Sequence, residues 1–501
     1  MFDALFTTTT EYKKLSHALS GKGACALFGL PASGRAQVYA ALCRQLDKPL
    51  CIVTPGEAEA TRFAADLNTL GIPAAVFPAR DYVLRPIEGT AREYEYRRLA
   101  VLGELVGGRL RAVAVPAEAL TQFTTPKEDF CANTRTLHAG DTLLRDDLLA
   151  ALFGAGYTRR AQVDGPGQFS VRGDIVDIFA PDQKMPVRME FWGDEIDTLH
   201  TFDLTTQRRE DAIDKFYLSP AREVLFGKPA DAAEQLRAFL AKQRGKKKTA
   251  MADCMAADLD LLDGGAVPVN MDKYLAVRYP HPATVLDYFD DPILVAEEPA
   301  SIREADRATA YRRGEELKSL ILDGVLCAGL DNLYADPSYL WSKTGHYRTI
   351  CAENFARSMP DQPLKDIINA PAHTLPAWNG EVAGLLEDLK PLCDAGYTVT
   401  LLAGTDRAAA GLARDLRDKG ILVTTDAAAA PAAGLVQVLA GHLSAGCEFP
   451  FAKYALLTGR AFGETSSQKK KRKKAKDALN SLTEITPGDL VVHQNHGIGR
   501  Y

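Results

Sequence analysis

The stretch Gly165–Arg209 reads GPGQFSVRGDIVDIFAPDQKMPVRMEFWGDEIDTLHTFDLTTQRR and decides what the middle of the chain is. Val187, Met189 and Phe191 alternate with Arg188 and Glu190, the period-two pattern of a strand with one face buried and the other in water. An earlier alternating run, FSVRGDIVDIF, faces it across a Pro-rich connection, and a third run follows a tight Gly193-Asp194 turn. The expectation is a small antiparallel sheet with one charged face.

The surroundings bound the class. At 501 residues the chain exceeds what one hydrophobic core serves, so several domains are expected. A hydrophobic fraction of 46% and a charged fraction of 25% are those of an ordinary globular protein. The net charge of −6 argues against wrapping nucleic acid wholesale and leaves room for local basic patches. Nine cysteines without a C-x-x-C pair read as reduced thiols in a cytoplasmic protein. No apolar run reaches the ~18–20 residues of a membrane span, and no membrane partner is expected.

In chain order, residues 1–20 read as an amphipathic helix, with Tyr12, Leu15 and Leu19 on one stripe. Ala24–Leu30 is an apolar strand, followed by a glycine turn and a helix from about Ala36 to Leu46. Short apolar strands recur at Leu50–Thr54, Ala74–Phe77 and Ala112–Val115, alternating with helical segments, which implies a parallel sheet covered by helices. The turn GLPASGRA has the glycines of a phosphate loop, Gly29 and Gly34, and places Arg35 and Ala36 where a working loop has lysine and a hydroxyl. Arginine can meet a phosphate, but alanine cannot hold Mg²⁺, and Pro31 removes one backbone N–H from the cradle. Far downstream, Ile293–Glu298 is an apolar strand ending in Glu297 and Glu298, where a Walker-B pair would stand. An ordinary strand with an acidic turn reads almost as well. Together the segments predict a degenerate RecA-like NTPase sheet with no catalytic residue.

The stretch from Asp141 to Tyr157 reads as a helix capped by Asp141, or opened by Asp146 and Asp147, leading into the antiparallel sheet. From about Asp336 a second small α/β unit is expected, with strands at Thr398–Thr405, Ile421–Thr425 and Gly434–Gly441 around a helix at Ala408–Lys419. A basic run, Lys469 to Lys476, follows as a solvated connector. At the end of the sequence Leu490–Val492 looks like a first strand lacking its sheet partners, so a piece of a longer protein is expected. The histidines show no metal-ligand spacing, and no nucleophile elbow is present. Binding is the better class of function.

Three phrases, FSVRGDIVDIF, EFWGDEID and FD…TQR, resemble the damage-recognition subunit of bacterial excision repair (UvrB), in the domain that binds UvrA. The chain is more similar still to the bacterial transcription-repair coupling factors. Their N-terminal third is a degenerate copy of that subunit, and a basic linker leads into an RNA-polymerase-interacting domain opening with a PGD-x-VVH-x-x-HGIGRY phrase. Here Pro487 to His493 and His496 to Tyr501 repeat that phrase. The segment Phe77–Arg97 is too short for the aromatic hairpin with which the repair subunit clamps DNA.

The resemblance implies a division into a first part of the NTPase-like domain at 1–128, an inserted UvrA-binding-like domain at 129–216, the second NTPase-like part at 217–335, a small α/β domain at 336–460, a linker at 461–485 and the start of a CarD-like polymerase-interacting domain at 486–501. It implies UvrA and the RNA polymerase β subunit as partners. Double-stranded DNA, ATP and Mg²⁺ belong to a translocase region outside this sequence, so no cofactor is expected here. The UvrA-facing arginines fall on Arg159 and Arg172, with Phe179 a weaker candidate and Arg160 the competitor of Arg159. Ser170 stands where the repair subunit has a further arginine. The ordinary alternative is that these arginines only pair with Asp174 or Asp177. The competing function is a UvrB-like repair subunit with its own ATPase.

Overall fold

The computed structural model describes residues 3–87, 92–359, 362–378, 381–430, 432–459, 490–493 and 497–500. Three sheets organise it. The largest has seven strands, all parallel, in the spatial order Leu364–Asn369, Gly23–Phe28, Arg348–Glu353, Ile293–Glu297, Leu50–Thr54, Ala112–Pro116 and Ala74–Val76. Leu50–Thr54, Ala112–Pro116 and Ile293–Glu297 are buried at every residue, as strands covered on both faces must be. The expected α/β class and the parallel sheet are therefore present. Two strands of this sheet, Arg348–Glu353 and Leu364–Asn369, come from beyond residue 335, so the large sheet draws on sequence that had been read as a separate unit.

The helix after the glycine turn runs Ala32–Leu46, a turn earlier than its apolar pattern suggests, because Pro31 in extended conformation serves as its N-cap. The opening of the chain is two helices, Asp3–Thr7 and Thr10–Ala18, divided where the Thr9 hydroxyl accepts the N–H of Tyr12. Tyr12, Leu15 and Leu19 are buried as expected.

Between Ala112–Pro116 and Ile293–Glu297 the chain leaves to build a six-stranded sheet. Its order is Arg209–Ala212, Glu195–Phe202, Val187–Trp192, Ile175–Phe179, Gln168–Arg172 and Thr158–Arg159, antiparallel except for the last pair. Phe169, Val176, Ile178, Val187, Met189 and Phe191 point to one face and pack on Leu148 and Leu152 of the helix Arg145–Gly154. That helix is not capped by Asp141. Its N-cap is Leu144, and the Asp141 carboxylate accepts the His138 N–H at 2.7 Å in the preceding turn. Asp146 and Asp147 do occupy its first turn, where the helix dipole favours them. Entry and exit strands, Arg135–His138 and Lys215–Leu218, pair antiparallel as a neck.

The third sheet has six strands, ordered His373–Leu375, Gly446–Phe449, Tyr454–Thr458, Thr398–Leu402, Val436–Leu439 and Val423–Thr424, flanked by the helices Val382–Asp394 and Asp406–Asp418. Leu490–His493 is not without a partner: it pairs antiparallel with Gly497–Arg500. The basic run at 469–476 lies outside the described residues.

Candidate functional site

The phosphate-loop segment and the acidic strand end do meet. Gly23–Phe28 and Ile293–Glu297 flank Arg348–Glu353, so the loop at 29–31 and Glu297-Glu298 share the crevice at the carboxyl ends of the parallel strands. Arg35, 4% exposed, reaches across it. Its Nη1 donates to Glu298 Oε1 at 2.8 Å, and its Nε lies 2.9 Å from Glu297 Oε2 without the alignment of a hydrogen bond. The Tyr39 hydroxyl donates to Glu297 Oε1 at 2.5 Å. Burial pushes the Glu297 carboxyl up from its ordinary range against the pull of Arg35, and the Glu297 and Glu298 charges hold the guanidinium cationic.

The cleft is also closed sterically. Gly29 has φ +88°, and a Cβ there would lie 3.0 Å from Asn369 Oδ1 and 3.1 Å from the Ala370 carbonyl. Ala372 N–H donates to the Gly29 carbonyl at 3.0 Å, so the chain leaving Leu364–Asn369 crosses directly over the loop. A Cβ on Gly34 would meet Cys447 Sγ at 2.8 Å, because the Gly446–Phe449 strand of the third sheet packs on this helix. Ala36 is fully buried. The loop bearing Gly29, Gly34, Arg35 and Ala36 thus stands beside Glu297 and Glu298, joined to them by an internal ion pair.

The outer face of the antiparallel sheet, opposite its covering helix, is polar. Register places Ser170, Asp177, Arg188 and His200 in one row across four strands. Asp177, 1% exposed, is its centre. Arg188 donates to it twice, at 2.7 and 3.0 Å, and Arg172 once, at 2.6 Å. The pairing of Arg172 with Asp177 considered from the sequence is thus present, yet the Arg172 side chain remains 47% exposed. One carboxylate thus serves two guanidiniums, while Glu190, in the adjoining row with Ile175 and Arg172, pairs with Arg209. Arg188 also lies over the Phe202 ring at 4.7 Å.

The other candidates separate. Arg159 is exposed and in register with Phe169, whose ring points into the core, so it projects from the helix-covered side at the sheet's open edge. Arg160, next along and also exposed, falls by alternation on the outer side and is anchored by its N–H to the Phe169 carbonyl at 2.8 Å. Phe179 is on the outer face but 7% exposed, covered by Val163 and Phe202. Ser170, where a further arginine was noted as missing, is 1% exposed beside the Asp177 clamp. Sequence reading passed over Arg188 as an acceptor's partner and Trp192 at the strand end. Both were signalled by the alternation that buries Val187, Met189 and Phe191.

Residues 136–224, which carry the antiparallel sheet inserted between strands of the parallel one, match the UvrB interaction domain family. Along most of its length the chain is also similar to transcription-repair-coupling factors. It is 26% identical to that of Bacillus subtilis (strain 168) over 490 residues, 95% of this chain and 41% of that protein. It is also 26% identical to that of Staphylococcus haemolyticus (strain JCSC1435) over 94% of this chain and 41% of that protein. The resemblance found in the sequence therefore holds along the chain, which spans about two-fifths of the length of these relatives. Among the described residues no helix is long and apolar enough to cross a membrane.

Proposed function

We propose that this chain is the part of a transcription-repair coupling factor that recruits UvrA to RNA polymerase stalled at DNA damage. The observation that carries the reading is the match of residues 136–224 to the UvrB interaction domain family, on whose outer face Arg172 is held by Asp177 and still half-exposed. Arginine suits such a face because its planar fork pairs with carboxylates while its plane packs on apolar surface. Arg172 and Arg160 are the contacts best presented, with Arg159 at the rim. The whole protein works in the cytoplasm as an ATP-dependent translocase on double-stranded DNA that displaces the polymerase, bound through its β subunit. This part of it needs no nucleotide and no metal.

Arg172→Glu tests the docking role. It should weaken capture of purified UvrA more than tenfold, since each charged hydrogen bond lost at an interface is worth about 1.5–3 kcal/mol. Its far-UV circular dichroism should stay that of the parent, with a lowered melting temperature, because the change takes one hydrogen bond from the buried Asp177 and sets a like charge beside it. Unchanged capture refutes the role. The competing reading, a repair subunit with its own ATPase, is less favoured because Arg35, at the position of the loop lysine, is committed to Glu297 and Glu298. Titration of the chain with Mg²⁺-ATP decides it: tight binding that disappears in Arg35→Ala would establish the ATPase reading.

A further inference from the structure

Trp192 ends the Val187–Trp192 strand one residue before the Gly193-Asp194 turn and is 82% exposed. Alternation puts its indole on the face of Arg188 and Glu190. On that face Glu190 is in register with Ile175, and Ile175 with Arg172. Trp192 therefore stands one pleat beyond a row that ends in Arg172. Gly193, at φ +62°, reverses the chain at once, so the next strand pairs alongside, with Glu195 in register with Trp192. The remaining aromatics of this face are already covered: Phe179 and Phe202 bury one another with Val163. Among the described residues no ring or cation packs on Trp192. Glu190 lies one pleat back on the same strand, while Arg172 stands two strands away on the same face. An exposed tryptophan sharing a face with a half-exposed arginine is the pairing enriched among interface anchors.

We propose that Trp192 is the apolar anchor of the docking face, entering a pocket of aliphatic or aromatic side chains on the partner while Arg172 meets carboxylates at the pocket's rim. The inference rests on the reading of this sheet as the UvrA-docking surface, and it commits to the same partner because Trp192 and Arg172 lie on one face of one sheet, two strands apart. Arg172 supplies charge and orientation, and Trp192 supplies the buried area that slows dissociation.

The test uses the 501-residue chain and purified UvrA. Trp192→Ala should weaken the complex at least about tenfold, as loss of an interface anchor does, with an unchanged melting temperature because the side chain supports no core. Trp192→Phe should keep most of the affinity. With Trp341 and Trp378 replaced by phenylalanine, Trp192 is the sole tryptophan, and its emission should shift to the blue on saturation with UvrA. If Arg172→Glu loses capture while Trp192→Ala binds like the parent and the emission stays put, the anchor is refuted and the docking face stands. If the parent chain does not capture UvrA, or neither variant alters capture, the docking face itself is refuted and the anchor falls with it.

Discussion

Asp177 and Glu297 are the two residues whose surroundings say most about what this chain does. Asp177 holds two guanidiniums on one buried carboxylate, so its loss leaves Arg188 desolvated without a counter-charge. Asp177→Asn should destabilise the antiparallel sheet by about 2–4 kcal/mol, measured by urea unfolding, because breaking a buried pair strands the remaining charge. Glu297 is in the corresponding position in the parallel sheet. Arg35→Ala should cost about 3–5 kcal/mol by the same reasoning, whereas an exposed arginine of an open phosphate loop would be nearly free to lose. The residue identities at 35 and 36 were enough to read a lost lysine and a lost hydroxyl. That Arg35 spends its charge on Glu297 and Glu298 could not be read, since partners more than 260 positions apart are joined only by the order of the parallel strands.

Elements carry the next set of consequences. The helix Pro299–Leu322 buries Asp306, whose carboxyl is pushed up to about 6 by burial, against the pull of Arg313 and Arg303. Its folded value lies above the ordinary 3.8, so the folded state holds the proton more firmly. The associated stability is full below pH ~4 and is lost as pH rises through about 6. Asp306→Asn should therefore raise stability above pH 6, by up to about 2 kcal/mol, and leave it unchanged at pH 4, as chemical denaturation at the two pH values will read. The Ala32–Leu46 helix meets the third sheet through Gly34, where a methyl would press on Cys447 Sγ. Gly34→Ala should cost about 1–3 kcal/mol through overpacking, seen as a lowered melting temperature. The strand alternation around residue 189 was legible because one face is wet and the other dry. The start of the Ala32 helix was not, because Pro31 and not a side-chain cap sets it, and Asp141 does not cap the next helix because its carboxylate accepts the N–H of His138, three residues earlier.

On the scale of the whole molecule, the third sheet is latched to the first. Asp66 accepts the Ser444 N–H at 2.8 Å and its hydroxyl at 2.6 Å, and the Thr69 hydroxyl donates to the His442 carbonyl at 2.9 Å. Asp66→Ala should free the 441–449 segment, detected as faster amide exchange there while the antiparallel sheet keeps its protection. The sharing of strands across residue 335 was invisible to a reading that looked for composition shifts, because parallel pairing leaves no local mark. The root of the inserted domain has a mechanical consequence. Its entry and exit strands, Arg135–His138 and Lys215–Leu218, lie side by side, and Glu223 just beyond is fully buried, taking Arg98 at 2.6 and 3.2 Å with Arg80 at 3.3 Å. A pull on the antiparallel sheet is therefore carried as tension by two covalent strands in parallel, and the hydrogen bonds between them bear none of it. What remains free to yield is bending at the root, and there the two arginines act as stays. A cargo held on this sheet would be towed at a fixed bearing, the way a drawbar with twin shanks keeps a trailer from swinging.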